Sequence, residues 1–269
     1  MPSPSMSYER HCAEIVAQTA LLRSHLKGAD LTAPVSGCPD WTLGQLLRHL
    51  GGAHRWAETV VRTRATQLVP DDQVNDVSGF HDEDPAALGA WLAEGAGQLA
   101  DALRAAGPDA AVWTVVPGGT PVFWARRMTH ETVVHRADVA FAVGAEFGVD
   151  EAVAVDALDE WMAFGALPQV LEATSKIRDL LGRPSSTLHF HATDASSQAT
   201  AEWLIDLTGD APTWRRAHEK ATVAVRGPLA DLLLLVYGRR RPHGDGIEIL
   251  GDARLLDVWL DGVSFWLKE

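Results

Sequence analysis

No glycine or proline interrupts the twenty residues from Phe123 to Ala142. A run of that length without a breaker reads as one helix, and the rest of the chain has to supply its packing partners. Within it stands Arg127-Met-Thr-His-Glu-Thr-Val-Val-His-Arg-Ala-Asp138. Glu131 and His135 are four residues apart, one turn along the same face. The rise between them is roughly 6 Å, so both side chains can converge on a single cation. A carboxylate and an imidazole are ordinary ligands for zinc or a similar divalent metal. Asp138, three residues beyond His135, can orient that ring from behind. The same spacing is common on solvated helix faces, so spacing alone does not decide for a metal. His130 and His135 stand one residue too far apart for the H-E-x-x-H motif, which excludes metalloprotease chemistry of that kind.

A length of 269 residues suggests one large or two medium domains, and a 46% hydrophobic content is ample for a core. The net charge of −13 argues against nucleic acid or an anionic membrane as partner. Cys12 and Cys38 are too few for a disulfide framework and fit a reducing compartment. The first ten residues lack the basic-then-apolar pattern of a signal peptide, and the apolar run Leu232 to Val236 is too short to span a bilayer. The expectation is a soluble, cytoplasmic protein. Ten tryptophans are many for this length. Composition does not tell core packing from pocket lining.

Read in order, the chain predicts a first helix from Tyr8 to Leu26 and a breaker-rich loop from Pro34 to Pro39. Thr42 and Gln45 form a capping box, with Trp41 and Leu46 as a hydrophobic staple. The helix behind it carries His49 inside or at the edge of its apolar stripe, while His54 and Arg55 read as outward. A lone inward histidine is most often a core residue, unless a Glu/His pair on another helix faces it. Gln67 to Pro85 reads as a long polar loop, either a lid or a crossover. Ala86 to Ala106 is a third helix, Val112 to Pro117 a short extended segment, and Phe123 to Ala142 the fourth helix, with a core stripe of Val133, Val134, Ala137, Ala140 and Phe141. Val149 to Ala173 is a further helix. From Ser185 the period changes to two: Ser185 to Thr193, Ala201 to Leu207, Ala221 to Val225 and Gly246 to Leu250 read as strands. Helices follow Gly227, from Pro228 to Tyr237, and Asp252, to about Trp266. The fold class is therefore α+β and multidomain, a helical bundle over 1–180 and a small α/β domain over 185–269. His189 and His191 share a strand face and could form a second metal site; Asp194 beside them suits a plain turn, and the plain reading is preferred.

Four passages carry a resemblance: Cys38-Pro-Asp-Trp41-Thr-Leu-Gly-Gln-Leu-Leu-Arg-His49-Leu; His130-Glu131-Thr-Val-Val-His135-Arg-Ala-Asp138; Gly227 through Gly238-Arg239-Arg240; and Leu250-Gly-Asp-Ala. In this order they resemble the mycothiol-dependent maleylpyruvate isomerase family, whose N-terminal half is a DinB-like four-helix bundle. Its C-terminal half is a small α/β domain similar to sterol-carrier folds. The resemblance implies a divalent metal, usually zinc, held by His49, Glu131 and His135. It also implies mycothiol as the thiol cofactor and a C-terminal arginine in catalysis. Arg239 is the better match for that arginine, with Arg240 as alternative, and the plain reading of Arg239, Arg240 and Arg241 is a solvated balance to a helix C-terminus.

Two imidazoles and one carboxylate leave a zinc site near +1 with one open position, the layout of a catalytic site. A thiol entering there loses its proton, and thiolate is the nucleophile that matters near neutral pH. Isomerisation and S-transfer share that first step, so the ligands do not separate them. The alternatives are a metal-dependent hydrolase acting through activated water, and a non-catalytic metal-binding or stress-related module. The partners expected are a small thiol and a small electrophile, with no nucleic acid and no membrane.

Overall fold

The computed structural model describes residues 6–264 apart from 71, 73–83, 117, 197–200, 243 and 245. Contacts divide the chain after Phe147 into two compact units. Most of the expected loop between Gln67 and Pro85 thus lies outside the described residues, as does the end of the last helix near Trp266.

The first unit is built on α1 (Tyr8–Ser24), α2 (Leu43–Arg62), α3 (Pro85–Ala106) and α4 (Pro121–Ala142). Their starts are written in the sequence. Ser7 accepts from the Arg10 backbone N–H at 3.2 Å, and Asp84 from that of Ala87 at 3.1 Å. Pro85 and Pro121 open α3 and α4, where a missing N–H is harmless. The capping box of α2 is present: Thr42 Oγ1 accepts from Gln45 N at 3.3 Å, and Gln45 Oε1 from Thr42 N at 2.9 Å. The breaker-rich loop before it contains a short antiparallel hairpin, β1 (Pro34–Val35) and β2 (Cys38–Thr42). Its prolines and short strands hide the period-two signal.

Both α1 and α2 pack against α3 and α4. The bundle interior is two apolar layers. One joins Leu22, Leu43, Leu46, Leu50, Leu92 and Val139; the other joins Ile15, Ala57, Val60, Leu99, Trp124 and Met128. On α4 the residues between Met128 and Val139 include the buried Thr129, His130, Thr132, His135, Arg136 and Asp138. A polar belt thus crosses the bundle between the layers. Trp56, Trp113 and Trp124 form an aromatic cluster at 5.0–6.0 Å in the second layer. Phe141, expected in the core stripe, is exposed, with its ring 6.3 Å from that of Phe147.

The second unit holds a five-stranded sheet of order β5-β4-β3-β6-β7: β3 (Thr187–Ala192), β4 (Glu202–Asp206), β5 (Thr213–Arg216), β6 (Val223–Gly227) and β7 (Glu248–Gly251). Among the described residues the β3–β6 pair alone is parallel. The strand β5 was not foreseen; its four residues alternate Thr-Trp-Arg-Arg with little apolar content. The helices are α5 (Glu151–Gly165), the short α6 (Pro168–Ala173) and α7 (Ser175–Arg178), then α8 (Leu229–Val236) and α9 (Ala253–Val263). The division expected near residue 180 places α5 with the bundle, whereas its contacts lie here. Asp159 on α5 receives the Trp203 indole N–H at 2.8 Å and a two-pronged approach from Arg216 at 3.0 and 2.6 Å. Trp259 of α9 packs on Phe190 at 5.5 Å. Among the described residues no helix is long and apolar enough to cross a membrane.

The approach of α2 to α3 is set by Gly51, over which the Trp91 ring lies directly. The Arg55 guanidinium covers that ring at 4.0 Å and donates to Trp91 O at 2.9 Å. Alanine in a helix interior is ordinarily more favourable than glycine by about 0.5–1 kcal/mol. Here a Cβ would overlap the indole. Gly51→Ala is therefore expected to destabilise the protein by about 1–3 kcal/mol, as overpacking does. Adding Trp91→Ala should remove that penalty, so that Gly51→Ala stabilises the Trp91→Ala background in urea unfolding.

Candidate metal centre

Three side chains from two helices meet in the polar belt. His49 projects from α2, and Glu131 and His135 from α4. The Nε2 atoms of both histidines face the same carboxylate oxygen: His49 Nε2 lies 3.3 Å from Glu131 Oε1, and His135 Nε2 lies 3.0 Å from it. The two rings meet edge to face, with centroids 5.3 Å apart. Donors about 2.05 Å from a tetrahedral zinc stand about 3.3 Å from one another. The observed separations therefore fit such an ion with little movement. Two imidazoles and a carboxylate are also the donor set that suits it. His49 is thus brought to the other two, and the reading of a lone core histidine gives way.

Each member is held from behind. His135 Nδ1–H donates to Asp138 Oδ2 at 3.0 Å, and the Asp138 carboxylate is buried. The Arg127 guanidinium donates to the other Glu131 oxygen, Oε2, at 3.2 Å. The Trp41 ring lies 4.9 Å from that of His49. Cys38 also belongs to this neighbourhood: its sulfur, an His135 nitrogen and an Asp138 oxygen lie within 4.8 Å of one another. Neither Arg127 nor Cys38 stands out as a site residue in the sequence. Arg127 lies one turn before Glu131, and that spacing was the available signal.

The electrostatics follow from these partners. Burial alone would lower the His135 pKa, but the Glu131 charge and the hydrogen bonds to Asp138 and Glu131 push it up to about 10. Both ring nitrogens face carboxylates, which only accept, so without an ion the ring carries two protons. Burial alone would raise Glu131; the His135 charge, the hydrogen bonds from His135 and His49, and Arg127 hold it well below the usual carboxylate range. The Nε2 proton of His135 occupies the place a cation would take. The side chains of His49 and His135 are 5% and 3% exposed while that of Glu131 is 20% exposed, so the centre is reached from the carboxylate side.

His54, expected to face outward, is fully buried beside this centre. The helix α2 packs on two neighbours, α3 and α4, and so buries two adjoining stripes rather than one. Thr132 Oγ1 spends its hydrogen on Met128 O at 2.6 Å, so it accepts from His54 Nε2–H at 2.8 Å. The ring is neutral, its pKa driven down to about 4 by burial, against the pull of Glu131. Arg239 and Arg240 lie in the second unit, just past α8. Arg239 Nη1 donates to Tyr237 O at 2.8 Å, and Arg240 pairs with Asp231 at 2.6 and 2.8 Å.

Residues 12–140 match the family described as mycothiol maleylpyruvate isomerase N-terminal domain, and residues 152–257 match the C-terminal domain of the same family. Among solved structures the chain is similar to a mycothiol-dependent maleylpyruvate isomerase at 16% identity and a TM-score of 0.60, covering 91% of this chain and 93% of that one. It is similar to a histidine-to-alanine mutant of that description at 15% identity and a TM-score of 0.59, with the same 91% and 93% covered. No curated protein matches the chain. At such identities these structures speak for the fold.

His54 sets a pH dependence of stability. Above its unfolded pKa of 6.5 both states are neutral and this group contributes no slope. Below it the unfolded chain takes up a proton that the folded chain refuses until about pH 4. Metal-free protein should therefore lose about 3 kcal/mol on this account between those limits. Urea unfolding at a series of pH values should show that loss in wild type and a shallower one in His54→Leu; equal slopes would refute the assignment.

Proposed function

The chain belongs to the mycothiol-dependent maleylpyruvate isomerase family through both of its domains, and on that premise we propose that it is a metal-dependent enzyme that uses mycothiol in isomerase-like or S-transfer chemistry. The observation that carries the reading is the meeting of His49 Nε2 and His135 Nε2 on Glu131 Oε1, a donor set with ligand-like spacing that is open on one side.

When bound there, a zinc or similar ion would favour the thiolate form of an entering thiol, and thiolate adds reversibly to a conjugated double bond. The chain's own groups have separate parts. Glu131 Oε1 and the two Nε2 atoms form the donor face. Arg127 engages Glu131 Oε2, which leaves Oε1 to point inward. Asp138 keeps the second proton of His135 on Nδ1, so that Nε2 is the atom offered as a ligand. One carboxylate against a divalent charge leaves the centre near +1, which suits an anionic sulfur.

For the substrate we propose Arg239 as the cation that pairs with a carboxylate or enolate, and keep Arg240 as its alternate. A planar guanidinium meets such an anion with two parallel hydrogen bonds.

Wild-type protein purified without chelator should carry a divalent metal that His49→Ala and His135→Ala both lack by elemental analysis; equal contents would remove these residues from the ligand set. Asp138→Asn should keep the fold and weaken metal binding about 10–100-fold. Mycothiol should raise the melting temperature of the metal-loaded protein and lose that effect on chelation, and no shift at any thiol concentration would defeat the thiol reading. With maleylpyruvate as probe, Arg239→Ala should lower kcat/KM about 10–100-fold, the weight of one charged hydrogen-bonded contact, whereas Arg240→Ala should change it little.

A further inference from the structure

A second cluster lies wholly within the sheet-containing unit. His189 and His191 alternate on β3 and so share one face of the sheet. Glu202 stands directly opposite His191 in the antiparallel β3–β4 pair, which puts its carboxylate on that same face. His218 follows β5 by two residues. One carboxylate oxygen, Glu202 Oε2, lies 2.9 Å from His189 Nε2, 3.0 Å from His191 Nδ1 and 2.6 Å from His218 Nδ1. The three rings meet edge to face with centroids 5.7–6.0 Å apart. A ligating atom from each of the four residues lies within 4.8 Å of every other.

Hydrogen bonding alone accounts poorly for this arrangement. A carboxylate oxygen has two lone pairs, and three ring nitrogens crowd one such atom. His189 is 6% exposed, and its Nε2, although 2.9 Å from Glu202, is not aligned for a hydrogen bond and has no other partner among the described residues. A buried ring nitrogen aimed at a carboxylate without a hydrogen bond calls for an explanation. Three imidazoles and a carboxylate are a nitrogen-rich set that suits first-row transition ions over calcium or magnesium.

We propose that His189, His191, Glu202 and His218 form a second metal site, which takes zinc or a similar divalent transition ion and ties the segment after β5 to the β3–β4 face. Four protein donors complete a tetrahedron, so the site is structural rather than catalytic. The ion stabilises the folded unit because the unfolded chain does not hold these residues together. Its ligands come from two strands and a loop, and none belongs to the centre in the bundle.

Full-length protein, stripped with chelator and titrated with zinc in equilibrium dialysis, should bind two equivalents. His218→Ala and His135→Ala should each bind one, and the double variant none. The His218 side chain is 80% exposed, so its loss leaves the fold intact, which far-ultraviolet circular dichroism checks. In the His135→Ala background zinc should still raise the melting temperature, and His218→Ala should weaken that site at least about tenfold. Zinc binding by His218→Ala equal to wild type in amount and affinity overturns the proposal, as does the absence of any zinc on His135→Ala. One equivalent on wild type, lost in His218→Ala but kept in His135→Ala, upholds this site and removes the one in the bundle.

Discussion

A carboxylate set among the helices of the bundle, with only 20% of its side chain exposed, is the constraint to which the rest of the first unit answers. Holding Glu131 ionised where most of its side chain is shielded from water is unfavourable unless other charges and donors surround it. Here His135 and His49 approach one oxygen and Arg127 the other. His135 in turn needs Asp138, whose own carboxylate is buried. The requirement propagates along one side of the mid-section of α4, where Thr129, His130, Thr132, His135, Arg136 and Asp138 are buried beside Val133, Val134 and Ala137. Replacing one member changes the electrostatic surroundings of the others, so their contributions are coupled rather than additive.

That belt explains what could and could not be read from the residues. The helices, the Thr42–Gln45 box and the Glu131/His135 pair are local patterns, and local patterns survive in one dimension. His49 was legible as inward-facing, but its meeting with α4 is a long-range fact that the family likeness, not the spacing, supplied. The burial of His54 is not legible in a single apolar stripe, because α2 has two buried flanks. The hairpin before α2 was concealed by its prolines, and β5 by its polar alternation.

In the second unit the same distinction holds. The period-two run on β3 announced that His189 and His191 share a face. Nothing local announces His218, because the polar β5 hides the hairpin that brings the loop after it back toward β3 and β4. The place of α5 is also a long-range matter. A buried ion pair from Asp159 to Arg216 links it to the sheet. One carboxylate again does the organising, here between a helix and a strand.

The Gly51 notch has a bearing on His49, two residues earlier. An α-helix turns about 100° and advances about 1.5 Å per residue. A slip of α2 by a single position against α3 would swing the His49 imidazole away from α4 altogether. The indole seated over Gly51, clasped from above by Arg55, acts as a mechanical index for that helix. The aim of an imidazole at the centre of the bundle is thereby governed from its outer flank, by a helix that itself contributes no atom to the proposed ligand set.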